Sequence, residues 1–184
     1  MTGRHYLRAL ISSAALLSVA LAAFACGGDD DDRVQALPAA QYFSRVDSIF
    51  QDADTRSNEI ESQFDDARQK ATTLDEELRA IDEFLTASIA NFQQAIVKLE
   101  ALAPPAALQE SHERFLNAAR DTVRVSQDFL EKLGGVETRR EADDLINTFD
   151  TDASPIIDRA DQACSELQNA AEAQNIDVDL DCSD

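Results

Sequence analysis

Glycine is scarce in this chain of 184 residues, five in all, and only Gly134 and Gly135 lie beyond position 28. That scarcity excludes phosphate-cradling loops and the strained turn that presents a nucleophilic serine, because both need glycines set beside the reacting group. Histidine is scarcer still, with His5 and His112 alone. A metal centre inside a helical bundle takes a histidine three residues after a glutamate on each of two helices, which one histidine in the body of the chain cannot supply. Haem attachment is missing too, since no cysteine opens a Cys-x-x-Cys-His run. Positive charge is the third shortage: 16 Lys and Arg stand against 36 Asp and Glu, a net of −20. Such a surface repels nucleic acid and anionic lipid headgroups, so nucleic-acid binding is excluded. Strand-like alternation is absent over any useful length before the last few residues.

What is present begins with a short basic start, Arg4, His5 and Arg8, followed by an uncharged stretch from Ala9 to Ala25. The stretch is shorter than the roughly 20 residues that cross a bilayer, and its order matches a cleavable secretory signal, here residues 1–25. It closes on "AFACGGDDDD", Ala23 to Asp32. Ala23, Ala25 and Cys26 resemble the small-residue box and cysteine of a bacterial lipoprotein export signal. The match departs at Phe24, where such boxes carry a smaller residue, and Leu21 lies too far upstream to be the usual leucine. The resemblance implies that Cys26 is acylated and becomes the first residue of the mature chain. The chain would then sit on the outer face of a bacterial cell membrane, held by lipid, and two or more acyl chains are what stable attachment takes.

Cleavage after Ala25 removes two of the 16 bases, Arg4 and Arg8, and no acid, leaving 14 against 36 and a net of −22. The paired glycines and the repelling run Asp29 to Asp32 make residues 26–37 a flexible acidic tether. With Cys26 committed to lipid, Cys164 and Cys182 remain as an even pair in an oxidising compartment, where disulfides persist. Closing that loop is expected to stabilise by about 3 kcal/mol in the chain-entropy description.

From residue 38 to 184 the dominant signal is helical. Apolar or small residues recur three and four apart from Phe43 to Ala71 and again from Leu74 to Leu102 without a slip in phase, which alone implies one very long helix. Against that, Thr73 with Glu76 matches a helix-starting capping box, which predicts a turn near residues 71–73. A third helix is predicted between Pro104-Pro105 and the glycine pair, with Leu108, Phe115, Ala119, Val123, Phe129 and Leu133 on its apolar face. A fourth should start near Glu137, carry Leu145, Phe149, Ile156, Ala160, Ala163 and Leu167 inward, and be kinked or divided at Pro155. Comparable lengths predict an all-α, antiparallel up-down four-helix bundle. Ile176, Val178 and Leu180 alternate with aspartates, so the end of the chain reads as a short extended tail strapped on by the cystine.

Three patterns invite chemistry. The alternating aspartates of the tail suggest calcium, but the glycine of an EF-hand loop is missing and the even positions are apolar. His112 falls beside Leu108 and Phe115, but no serine lies near it on a strained turn, so it reads as a residue at the bundle's boundary. Eight phenylalanines at helical spacing read as core before they read as a ligand pocket.

The stretch "LEALAPPAALQESHERFLNAA", Leu99 to Ala119, with the ending "IDVDLDC", resembles a group of uncharacterised bacterial surface lipoproteins with all-helical domains. The resemblance implies architecture and address, with no reaction and no cofactor. The expectation is a membrane-anchored, non-enzymatic module that works by contact with another envelope protein, with a carrier of a small apolar or cationic ligand as the alternative.

Overall fold

The computed structural model describes residues 35–180 and 182. The signal segment 1–25, Cys26, the aspartate run and Asp181 lie outside the described residues. Among these residues there are four helices, α1 (Ala39–Lys70), α2 (Leu74–Glu100), α3 (Gln109–Leu133) and α4 (Arg139–Glu172), with a 3-10 turn at Ala106–Leu108 before α3. Among the described residues there is no strand, and no helix is long and apolar enough to cross a membrane.

The break between α1 and α2 falls where Thr73 and Glu76 predict it. The Glu76 amide donates to the Thr73 hydroxyl at 3.3 Å, and the Glu76 carboxylate accepts from the Thr72 and Thr73 amides at 2.7 and 3.1 Å. These donors are what the start of a helix otherwise leaves unpaired, and they hold the Glu76 carboxyl near a pKa of about 2. Thr73→Ala is therefore expected to lower stability by about 1 kcal/mol, the usual cost of a lost cap, read from the urea midpoint. A second capping box, Thr138 with Glu141, starts α4 in the same way. Sequence reading placed that start near Glu137 without using the box.

The prolines and glycines behave differently from one another. Gly134 ends α3 as predicted, but the prolines do not sit in its first turn: Pro105 caps the 3-10 turn, and α3 itself begins four residues later at Gln109. Pro155, by contrast, does not divide α4, which runs unbroken through it. The proline is exposed, so the carbonyl of exposed Thr151 that loses its donor is left to water. Contacts to α3 on both sides of Pro155 hold the helix together: Phe149 lies on Phe129 with centroids 4.6 Å apart, and Glu166 pairs with Arg114 at 2.8 Å.

Each helix packs chiefly on its neighbours in sequence, α1 on α2, α2 on α3 and α3 on α4. Between α1 and α2 the links are Asp52 to Lys98 at 2.8 Å, Arg56 to Gln94, and a stacked Phe64 and Phe84. The core is uneven along the length of α1. Its buried residues, Tyr42, Phe43, Val46 and Ile49, all fall within the first third of the helix. They join Ile96, Leu99, Leu108, Leu116, Cys164, Leu167 and Ala171 in one cluster. Beyond Ile49 no residue of α1 is buried.

Candidate functional site

The most enclosed part of the core gathers Tyr42 and Phe43 of α1, Leu99 of α2, Leu116 of α3, Leu167 and Ala171 of α4, and Leu180. Chain entry is fixed there, because the Leu37 amide donates to the Ala103 carbonyl at 2.8 Å and the Leu37 side chain packs on the core. Leu37, which the sequence assigns to the flexible spacer, is thus part of the packed structure.

His112 is not a boundary residue: it is buried, only 3 % exposed, among apolar side chains. Its Nδ1 lies 2.9 Å from the hydroxyl of Tyr42, a side chain with no exposure at all. Burial pushes the phenol above its ordinary range and the imidazole below its own, so both are neutral near pH 7. The two neutral groups are hydrogen-bonded, and the tautomer of His112 sets which of them donates. The pair joins α1 to α3, where Phe50 and Phe115 also meet at 5.5 Å. Sequence reading missed it because a tyrosine 70 positions away leaves no local mark beside a histidine.

The sign of the pH dependence follows from the histidine. An unfolded imidazole binds its proton near pH 6.5, whereas the buried one resists protonation until lower pH. The contribution is whole above pH 6.5 and is lost as pH falls from there through the lowered folded value. The chain is expected to lose stability steadily from pH 7 to 5, and His112→Gln to flatten that slope, in urea titrations at fixed ionic strength.

The C-terminal segment is fastened by three devices. Asn175 takes the left-handed conformation at φ 54°, the Ile176 amide reaches back to the Ala171 carbonyl at 3.0 Å, and the Asn175 amide reaches Glu172 at 2.9 Å. Those bonds form a Schellman ending with asparagine in the place usually taken by glycine. The Gln168 side chain then works as a substitute backbone: its amide donates to the Val178 carbonyl at 2.8 Å, and its oxygen accepts from the Leu180 amide at 3.0 Å. Cys164 and Cys182 are joined in a disulfide with their Cα atoms 5.6 Å apart. Leu180, 2 % exposed, is seated in the core cluster.

The other buried polar side chain is Asn91 of α2, whose amide donates to the Ala53 carbonyl at 2.8 Å and to the Ser57 hydroxyl at 3.1 Å. Among the described residues no buried side-chain polar atom lacks a partner, and no group of three or more His, Cys, Asp and Glu is placed to hold a metal ion. Two hollows lie between α1 and α2 and are open to solvent. One holds about 10 Å³, and the other is a shallow groove of about 340 Å³; neither is lined by a phenylalanine. Instead the rings pack on one another: Phe50 on Phe115, Phe64 on Phe84, Phe129 on Phe149.

No protein-family model, curated protein or solved structure matches the chain.

Proposed function

We propose that this chain is a lipid-anchored, extracytoplasmic helical module that works by contact with another protein of the cell envelope rather than by catalysis. In this reading the four helices run up and down, antiparallel in sequence order, with residues 176–182 laid over the tight end as a strap. Partner positions support that arrangement, since Asp52 meets Lys98 while Phe64 meets Phe84, and Arg114 meets Glu166 while Phe129 meets Phe149.

The observation that carries the reading is where the interior polar groups are spent. His112 and Asn91, the two buried polar side chains, are both committed to holding one helix to another. What is left for function is the outer surface. The tether enters at the tightest part of the core, which suits an anchor that must bear load, and its aspartates would hold the module away from an anionic bilayer.

Membrane attachment is tested by producing the full chain in a bacterial host, separating membranes from soluble fractions and measuring the mass of the N-terminal fragment. The expected result is retention in the membrane with acyl chains on Cys26, and release or failure of processing in Cys26→Ser. A mature chain that begins elsewhere and floats free would refute the anchor.

A further inference from the structure

The stretch from Phe84 to Val97, "FLTASIANFQQAIV", is the longest in the described chain without a charged side chain. It lies in α2 of a protein whose net charge is −20. Ala87, Ala90, Gln94, Val97 and Ala101 recur at helical spacing and form one stripe, exposed at all but Ala87. Val97 is the one large hydrophobic residue exposed among the described residues, at 64 %. Beside this stripe runs the 340 Å³ groove, with Ala87, Ala90 and Gln94 on one wall and Arg56, Glu59, Ile60 and Gln63 of α1 on the other, the Arg56 guanidinium being taken up by the Gln94 side chain. A run of uncharged residues at the core-facing positions of α2 needs no further reason. On the outward stripe, in a chain this acidic, it does.

We infer that this α2 stripe and the α1–α2 groove form a docking surface for one amphipathic helix of another protein, with small and apolar residues on its contacting face and basic residues on its flanks. The inference rests on the contact function proposed above and names the surface and the partner's chemistry. Charge selects the occupant. A second copy would bring the same negative charge against the same face, whereas basic flanks would meet Glu59 and Glu83, which are exposed and form no ion pair in the structure. Shape selects the helix. The lined segments, 56–63 and 87–94, each run about 10 Å at the ordinary helical rise, or two turns, and alanines on the floor let a second backbone come close. Val97 then supplies the apolar contact at one end.

The test is a photo-cross-linking scan of the full chain in the cells that anchor it. A photoreactive residue replaces Gln94 or Val97 on the proposed surface, and Gln127 or Asn147 on exposed positions of α3 and α4. The expected result is an adduct from Gln94 and Val97 and none from Gln127 and Asn147, joined to a helix with basic flanks. Ala90→Glu in the same chain, with its melting curve unchanged, should cut the yield at Gln94 by about tenfold, the effect of 1.4 kcal/mol. Adducts from the α3 and α4 positions alone would overturn this surface while leaving the contact function standing. Adducts nowhere would overturn both. An adduct to a second copy, or to an acidic segment, would overturn the occupant.

Discussion

Phe43→Ala should destabilise the chain by about 3–5 kcal/mol, the range for emptying a fully enclosed phenylalanine site. Phe43 has no exposed surface, lies edge-on to Tyr42 at 5.1 Å and belongs to the cluster that unites all four helices. Its neighbours come from different helices, so the cavity left behind cannot close by a shift of one of them. Phe64, on the same helix and the same stripe, is the control. It is half-buried and stacks on Phe84 with Arg68 over its ring, contacts confined to the α1–α2 pair. Phe64→Ala is expected to cost less than about 2 kcal/mol, since only part of its surface leaves water on folding. Urea unfolding of both variants at one temperature gives the comparison. Equal losses would mean that the core is as continuous beyond Ile49 as before it.

Removing the cystine by a double Cys164→Ala, Cys182→Ala substitution should cost about 3 kcal/mol, the loop-closure value for a ring of this size. For a domain of this length that corresponds to a fall in melting temperature of roughly 6–12 °C. The bond holds the last residues against α4, where Leu180 completes the core and Gln168 pairs with the backbone on both sides of Asp179. Mild reduction of the unmutated chain by a dithiol should give the same shift as the double substitution. Should both leave the melting temperature where it was, Leu180 and Gln168 alone would account for the seating of the segment.

The sequence was most legible where structure depends on near neighbours. The capping box at Thr73, the proline start before α3, the glycine stop at Gly134 and the pairing of Cys164 with Cys182 each rest on a local pattern or on a simple count. It was least legible where two distant residues decide the matter. His112 looks like a boundary residue until Tyr42 is folded onto it, and Asn91 looks like any polar position until the Ala53 carbonyl is brought against it. Pro155 does not divide α4 for a related reason: propensity counts the lost hydrogen bond, while the packing on α3 that outweighs it lies outside the local window. The groove beside Ala90 was also hidden, because an apolar stripe on a helix cannot be assigned to core or surface until the neighbouring helices are placed.

The account turns on one tightly packed end, where Leu37 is tied to Ala103 and Leu180 is seated in the core, and on the part of α1 beyond Phe50, whose links among the described residues run to α2. Native-state hydrogen exchange, resolved along the chain, measures this directly. The result predicted is slow exchange, governed by global unfolding, for amides around Val46, Leu99, Leu116 and Leu167, with faster exchange through local opening from Asn58 to Lys70. Uniform protection along the whole of α1 would contradict it.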